Sequence, residues 1–242
     1  MKMSEKNTVY KRVLLKISGE ALAKDCGKGE ILNYDFMNEI CGVVKKCVDM
    51  GVQIAIVVGG GNIWRGGRQG AKMNRSRADH MGMLATVINS LALQQAFEEI
   101  GQKAVVMTAI DMKRIAEPFT QREAVENLEQ GNIVIFGGGT GCPYFSTDTG
   151  AVLRAAEINA DAVLMAKNID GVYTADPKLD PTAKKLDEIS YVDVLKNGLK
   201  ALDWTAASFG MENKLTVQFF GLDDPMNIVR VINGEKLGTV LK

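Results

Sequence analysis

The stretch that decides the fold is Ile54-Ala-Ile-Val-Val-Gly-Gly-Gly61, in which an apolar β-branched run passes directly into a glycine triplet. The same pattern returns at Ile133-Val-Ile-Phe-Gly-Gly-Gly139, and a third apolar run, Val13-Leu-Leu-Lys-Ile17, ends in Ser18-Gly19. Glycines at strand ends let successive backbone N–H groups converge on one point and let a ligand approach the main chain. A following helix adds its positive N-terminal end. One such turn suggests a bound anion, and three suggest a site for several phosphates.

Outward from these turns, short β-branched runs alternate with longer segments of helical periodicity. This alternation is typical of a mostly parallel sheet with helices on both faces, so the predicted fold is a three-layer α/β/α sandwich. The predicted strands are 13–17, 54–58, 103–107, 133–136, 162–165, 215–220 and 239–241. The predicted helices are 36–50, one capped by Asp79 and ending near 100, one opened by a capping box at Thr120 and Glu123, 147–159, and two that begin at Ser190 and at Asp224. The polar, turn-rich stretch 168–181 is predicted to be a long ordered loop.

The composition and charge of the chain indicate which classes of protein it is compatible with. The chain has 242 residues, of which 46% are hydrophobic, and we expect 1–242 to form one domain with a substantial core. Lysine plus arginine and aspartate plus glutamate balance at 29 each, so no overall basic field favours nucleic acid or a membrane. Four cysteines without a CxxC pair, and a single histidine, argue against structural zinc and for reduced thiols in a cytosol. The polar N-terminus and the lack of a bilayer-length apolar run predict a soluble, cytoplasmic protein.

The predicted chemistry concentrates at the carboxyl ends of the strands, where open α/β sheets bind their ligands. Lys16, Gly59–Gly61 and Gly137–Gly139 would share one crevice there. The chain has neither a GxxxxGK[ST] P-loop nor a GxGxxG dinucleotide motif. Phosphate binding must therefore use another architecture.

Two cations stand out as candidate phosphate ligands. Lys16 lies within an apolar strand, where a buried ammonium is costly unless an anion or a carboxylate partners it. Arg65 follows a glycine turn closely and could bind the anion there in a bidentate manner. The other cations of this segment are interpreted as a solvated basic loop; they are Arg68, Lys72, Arg75 and Arg77.

Each candidate acid has two interpretations. Asp148 is either a helix N-cap or a group that holds Lys16 and other donors, or touches Mg²⁺. Asp79 is either a cap or an acceptor for sugar hydroxyls, and Asp203 could partner a buried lysine. His80 is interpreted as a packed or surface histidine, and Cys142 as structural because no activating partner is recognisable. Tyr173 is either a core residue or a platform for a base.

Five segments together carry a resemblance that spans nearly the whole chain. They are KISGEAL from Lys16, GGGNIWRG from Gly59, ADHMGMLATVINSLALQ from Ala78, GGGTGCPYFSTDT from Gly137 and NIDGVYTADP from Asn168. On these segments the chain resembles the bacterial uridylate kinases of the amino-acid-kinase family. The resemblance implies that family's fold and the reaction ATP + UMP → ADP + UDP in pyrimidine nucleotide synthesis, with Mg²⁺ accompanying ATP.

The resemblance also implies roles for individual residues. The residues expected around ATP are Lys16, Ile17, Ser18, Gly19, Gly61 and Arg65 at the phosphates and Lys167, Asn168, Tyr173 and Asp176 at the adenosine. Those expected around UMP are Gly60, Asp79, Thr140, Gly141, Cys142, Pro143, Tyr144, Phe145, Ser146 and Thr147. In the catalytic set, Lys16 and Arg65 would stabilise the moving phosphoryl group, Asp148 would organise the centre and Asp203 would orient Lys16. No direct protein ligand to the metal is expected, and the resemblance implies a homohexamer inhibited by UTP and activated by GTP.

The chain departs from the family pattern at three places. Cys26–Leu32 lacks the aromatic residue of the segment associated with GTP activation, Cys142 stands where asparagine is usual, and Gly210–Asn213 replaces a more basic segment. Two other functions remain open. One is a sister kinase that acts on a carboxylate or carbamate, and the other is a nucleotide-binding storage or regulatory protein that has lost phosphoryl transfer.

Overall fold

The computed structural model describes residues 8–27, 29–65, 72–175, 177, 179–199 and 201–242. Its strands are β1 (Arg12–Ile17), β2 (Gln53–Val58), β3 (Ala104–Thr108), β4 (Glu117–Pro118), β5 (Ile133–Gly137), β6 (Ala162–Lys167), β7 (Val172–Tyr173), β8 (Lys185–Leu186), β9 (Glu188–Ile189), β10 (Val217–Gly221) and β11 (Thr239–Leu241). Its helices are α1 (Gly19–Leu22), α2 (Tyr34–Asp49), α3 (Arg75–Glu99), α4 (Gln121–Glu129), α5 (Thr147–Glu157), α6 (Tyr191–Asn197), α7 (Trp204–Glu212) and α8 (Asn227–Ile232).

One mostly parallel sheet runs through the molecule in the order β4-β3-β5-β2-β1-β6-β10-β11-β9. Within it, β11 pairs antiparallel with β10 and the other neighbours are parallel. This sheet, with helices on both faces, confirms the predicted α/β fold. None of the described helices is both long enough and apolar enough to cross a membrane.

The two faces of the sheet support two separate cores. Along β1, Val13, Leu15 and Ile17 join the core under α2, α3 and α8, whereas Leu14 joins the core under α4 to α7. Because successive side chains of a strand point to opposite faces, a central strand covered on both sides must be apolar throughout. Each fully buried Leu or Ile contributes roughly 1.5–3 kcal/mol. Lys16 breaks this apolar pattern and is therefore exceptional.

The register places the predicted turns side by side. Ile17 at the end of β1 pairs with Val58 of β2 and with Ala166 of β6. Val57 of β2 in turn pairs with Phe136 of β5. Both glycine triplets, the Ser18-Gly19 turn and Lys167 consequently lie along one edge of the sheet.

Two helices start differently from the prediction. Helix α3 begins at Arg75 and its cap is Asn74, whose side chain accepts a hydrogen bond from the Arg77 N–H at 3.3 Å. Asp79 lies inside this helix, so the prediction that it caps the helix was wrong. At Asp224-Pro225, the chain makes a turn before α8 starts at Asn227.

Other local predictions have mixed outcomes. The capping box that opens α4 is confirmed, because the Glu123 N–H donates to Thr120 Oγ1 at 3.3 Å and the hydroxyl of Thr120 donates to Glu123 Oε2 at 2.6 Å.

The stretch 168–181 is not all loop, because β7 pairs with β8 in a short antiparallel ribbon. Two residues cannot reveal a strand when their partner lies 12 or more residues away.

Candidate functional site

The centre of the site is one carboxylate held between two lysines. Lys16 Nζ lies 2.6 Å from Asp148 Oδ1, and Lys167 Nζ lies 3.1 Å from Asp148 Oδ2. Lys167 also donates to the carbonyl of Ala201 at 3.0 Å. Lys16 is only 7% exposed, so its ammonium has exchanged water for this pairing. The predicted anionic partner of Lys16 is thus Asp148.

The surroundings of Asp148 and Lys167 shift the pKa values of both groups. Burial raises the pKa of Asp148, but attraction and hydrogen bonding by Lys16 and Lys167 outweigh it and bring this pKa to about 2. Burial lowers the pKa of Lys167 and the charge of Lys16 adds to this effect, while Asp148 opposes it. With all three groups ionised, the centre carries a net charge of +1, which favours an anionic ligand.

Asp148 is not the N-cap of its helix. Ser146 caps α5, because its Oγ accepts from the N–H of Asp148 at 3.0 Å and of Thr149 at 3.1 Å. This leaves the carboxylate of Asp148 free to face the lysines from the first turn of the helix. Of the two interpretations of Asp148, the structure supports the one in which it holds Lys16.

Asp203 contacts the starts of two helices, α5 and α7. Its carboxylate accepts from the hydroxyl of Ser146, from Thr149 Oγ1 at 3.1 Å and from the Ala206 N–H at 3.0 Å. It therefore caps α7 and links that helix to the start of α5. Asp148 is the residue that pairs with Lys16, and the expectation that Asp203 orients Lys16 stays a prediction.

Gly19 and Gly60 are packed too tightly at the first glycine turn to carry a side chain. A Cβ on Gly19 would lie 2.4 Å from the carbonyl oxygen of Gly59, and one on Gly60 would lie 2.8 Å from the Cβ of Ala85. Ser18 caps α1, its Oγ accepting from the Ala21 N–H at 3.1 Å. These contacts bring the end of β1 and the end of β2 into direct backbone contact.

Arg65 stays next to this turn. Its Nε donates to the carbonyl of Gly61 at 3.3 Å, and its guanidinium forms an ion pair with Glu20. The position agrees with the prediction that Arg65 serves the anion of the first glycine turn.

The second glycine turn uses the left-handed backbone region. Gly138 and Gly139 have φ values of 78° and 59°, which only glycine adopts without strain. The N–H of Gly138 donates to Thr86 Oγ1 of α3 at 2.9 Å. The loop then continues through Cys142, an exposed free cysteine whose N–H donates to Thr140 Oγ1 at 3.3 Å.

The two glycine turns border a cavity of about 310 Å³. It collects most of the residues predicted for the UMP side, together with two predicted for ATP: Gly60, Gly61, Arg65, Asp79, Thr140, Phe145, Ser146 and Thr147. The predicted residues Gly141, Cys142, Pro143 and Tyr144 belong to the same loop but do not line the cavity. Trp64, Thr86 and Arg75 line it without having been predicted.

Asp79 is tied to both walls of this cavity. Its Oδ2 accepts from Arg75 Nε and from the Tyr144 N–H, each at 2.8 Å. The guanidinium of Arg75 also lies over the ring of Tyr144, 5.4 Å from the centroid. The interpretation of Arg75 as part of a solvated loop was wrong, and its spacing of four residues from Asp79 was the signal for the pair. Lys72, Arg77 and His80 are exposed, and Arg68 lies outside the described residues.

A second cavity, of about 760 Å³, lies beside Lys167. Lys167, Asn168 and Tyr173 line it, which agrees with the set predicted for adenosine. The hydroxyl of Tyr173 donates to Asp170 Oδ1 at 2.8 Å. Tyr173 is thus a wall of the cavity and not a core residue, while Asp176 lies outside the described residues.

The described residues offer little for a protein-held metal. Among them, no three side chains of histidine, cysteine, aspartate or glutamate form a group that could hold a metal ion. Asp148 is the carboxylate at the centre. A divalent cation would therefore fit here only if most of its oxygen ligands came from a bound nucleotide.

Fold and site together define the class. This is an α/β protein whose parallel strands end in glycine turns and a cationic centre flanked by two cavities. The chain belongs to the amino acid kinase family, whose model matches residues 11–221.

Three solved structures are similar over almost the whole chain. A UMP kinase from Bacillus anthracis is 39% identical, with a TM-score of 0.91 and 96% of each chain covered. A UMP kinase from Ureaplasma parvum is 35% identical, with a TM-score of 0.89, covering 96% of this chain and 98% of the other. A uridylate kinase from Archaeoglobus fulgidus is 28% identical, with a TM-score of 0.74, covering 95% of this chain and 99% of the other.

Proposed function

We propose that this chain is a UMP kinase that transfers the γ-phosphoryl group of ATP to UMP in pyrimidine nucleotide synthesis. The observation that carries the proposal is the Lys16–Asp148–Lys167 centre, which has one cavity beside Lys167 and another beside Thr147. Lys167 lines the larger cavity, and Thr147, next to Asp148, lines the smaller one. Two nucleotides bound in these cavities would bring their phosphates together at the lysines.

The larger cavity is assigned to the donor. Adenosine would lie against Asn168 and Tyr173, with Lys167 and Asp176 completing the predicted set. The phosphates would extend toward Lys16 and the Ser18-Gly19 turn. The other residues proposed to contact them are Ile17, Gly61 and Arg65.

The smaller cavity is assigned to the acceptor. Asp79 would accept hydrogen bonds from the ribose hydroxyls, and Gly60 would let the phosphate approach the backbone. The 140–147 loop would close over the pyrimidine. Arg65 borders this cavity at the first glycine turn, so it would reach the phosphoryl group as it moves.

The chemistry requires positioning and charge rather than a general base. A nucleoside monophosphate has a second pKa of roughly 6, so near neutral pH its phosphate oxygen is already ionised and nucleophilic. The barrier lies in bringing two polyanions into line, which fixed cations and preorganised N–H groups lower. Lys16 and Arg65 would stabilise the charge on the transferring group, and Asp148 would hold both lysines in place.

Mg²⁺ is proposed to enter with ATP, and Asp148 is the carboxylate of the lysine centre. When bound, the metal would neutralise phosphate charge during transfer.

Assembly and regulation are also proposed. Met81, Leu84 and Ile88 form an apolar stripe on α3 and are 38%, 50% and 46% exposed. Such a stripe suits a subunit interface, so we propose a homohexamer, which the mass in solution would test. We further propose inhibition by UTP and a cytoplasmic location, where the four free thiols would stay reduced.

The function is tested by measuring ADP formation from ATP with UMP, CMP, dTMP, N-acetylglutamate and carbamate as acceptors. We expect turnover that is selective for UMP and depends on Mg²⁺. Selectivity for N-acetylglutamate or carbamate would instead indicate a sister kinase. Binding of ATP and UMP without ADP formation would indicate a storage or regulatory protein and would contradict the proposal.

A further inference from the structure

Helix α3 has an unusual distribution of side chains. Thr86 and Asn89 are buried, with exposures of 3% and 0%, whereas the apolar Leu84 and Ile88 are exposed. Burying a hydroxyl and an amide is unfavourable unless each makes specific hydrogen bonds. The partners of Thr86 and Asn89 should therefore explain why this face of the helix is polar.

Both buried groups bind a glycine turn. Thr86 Oγ1 accepts from the N–H of Gly138 at 2.9 Å and donates to the carbonyl of Met83 at 2.6 Å. Asn89 Nδ2 donates to the carbonyl of Gly59 at 2.7 Å. One turn of helix thus contacts the first residue of the first triplet and the middle residue of the second.

Close packing also joins α3 to both glycine turns. A Cβ on Gly60 would lie 2.9 Å from the carbonyl oxygen of Gly82 and 3.2 Å from the N of Thr86. A Cβ on Gly137 would lie 3.2 Å from Cγ2 of Val87. Residues 82, 86 and 89 follow the i, i+4, i+7 spacing of a single helix face, so one rigid surface supports both turns.

We infer that Thr86 and Asn89 are positioning residues that set the distance and orientation between the two glycine turns. The inference rests on the proposed function, in which the turns hold donor and acceptor phosphates. In-line transfer tolerates little displacement, and a shift of about 1 Å can cost roughly 100-fold in rate. Thr86 also lines the smaller cavity, but the role inferred here is exerted by each side chain through the backbone of a turn.

The test compares Thr86→Val, which keeps the shape but removes the hydrogen-bond acceptor, with Thr86→Ser, which keeps the acceptor. We expect Thr86→Val to raise the KM for UMP and to lower kcat, giving a loss in kcat/KM of about tenfold or more. The KM for ATP should change less than about twofold, since Thr86 holds only the acceptor turn. Thr86→Ser should restore most of the activity.

Ser90→Ala is the matched control. Ser90 is also a buried hydroxyl residue of α3, but its Oγ donates to the carbonyl of Thr86 within the same helix, at 2.8 Å. It should lower stability without changing either KM. If Thr86→Val and Ser90→Ala have the same kinetics, or if Thr86→Ser fails to restore the KM for UMP, the inference is overturned. If Thr86→Val does not fold, Thr86→Cys, whose thiol is a weak acceptor, replaces it in the same comparison.

Amide hydrogen exchange separates this inference from the proposed function. The N–H of Gly138 is buried and bonded to Thr86, so its exchange should accelerate about tenfold in Thr86→Val and stay unchanged in Ser90→Ala. Unchanged exchange in Thr86→Val would contradict the inference even if UMP is phosphorylated. Accelerated exchange in Thr86→Val, together with a wild type that does not phosphorylate UMP, would leave the positioning role in place and contradict the proposed function.

Discussion

Lys16 Nζ and Asp148 Oδ1 lie 2.6 Å apart, and this ion pair joins the end of β1 to the first turn of α5. Asp148 shares its other oxygen with Lys167 at the end of β6. One carboxylate therefore holds together three elements that are distant in sequence. The two ammonium groups share one negative charge, so the centre keeps a net positive charge that favours a phosphate ligand.

Replacing Asp148 should destabilise the fold in a pH-dependent way. Because the pKa of Asp148 is lowered to about 2 in the folded protein, its stabilisation is present above the unfolded value near 4 and is lost as pH falls toward 2. We expect Asp148→Asn to lower the free energy of unfolding by about 3 kcal/mol at pH 7, since the buried Lys16 and the partly buried Lys167 lose their counter-charge. Urea unfolding of both proteins between pH 2.5 and 7 measures this difference. A difference that does not shrink below about pH 4 would contradict the role of Asp148.

Asp203→Ala should cost more than an ordinary helix cap. Loss of the α7 cap alone is worth about 1 kcal/mol, and the hydroxyls of Ser146 and Thr149 also lose their acceptor. We expect a loss of about 2–3 kcal/mol in urea unfolding, with Asp203→Asn losing less because its amide oxygen can still cap.

The matched control for Asp203 is Ser190→Ala. Ser190 caps α6, with its Oγ accepting from the Asp193 N–H at 3.0 Å. Its replacement should cost only about 1 kcal/mol. Equal losses for Asp203→Ala and Ser190→Ala would show that the link from α7 to α5 contributes nothing.

Arg75→Gln should weaken acceptor binding and leave the fold almost intact. The pair with Asp79 is half-exposed and local, so its contribution to stability is only about 0.3–0.5 kcal/mol. Asp79 would nevertheless lose the group that orients it at the cavity wall. We expect the KM for UMP to rise about threefold to tenfold while kcat stays within about twofold.

Arg122→Gln provides the comparison for Arg75. It removes another i,i+4 pair, with Glu126 at 3.3 Å, on the surface of α4. Steady-state kinetics should show no change in either KM for this variant. An unchanged KM for UMP in Arg75→Gln would mean that the pair with Asp79 is only a surface ion pair.

The sequence predicted the sheet and its turns because the signals for them are local. An apolar run that ends in glycines, such as Ile54–Gly61, identifies both the strand and the edge at which ligands bind. Lys16 was recognisable as buried for the same reason, since the residues on both sides of it are apolar. Lys167 carries the same signal at the end of β6, but its connection to Asp148 was not predicted.

The remaining features depend on contacts between distant segments. Asp148 and Asp203 both stand at helix starts, and sequence alone cannot decide which of them faces Lys16. The cap of α3 was misplaced because Asn74 and Asp79 both have side chains that can cap a helix. The buried polar side chains of α3 can be explained only from the tertiary structure, in which the N–H of Gly138 donates to Thr86.

The most direct test of the central claim is to detect UDP formed from ATP and UMP by the wild type and by Lys16→Ala, with UMP affinity measured in parallel. Lys45→Ala, which removes a partly exposed lysine of α2 paired with Asp49, is the control. We predict that Lys16→Ala lowers the rate of UDP formation by at least about 100-fold while UMP affinity changes less than about threefold, and that Lys45→Ala behaves as wild type. Wild-type rates of UDP formation in Lys16→Ala, or no UDP from the wild type, would contradict the account.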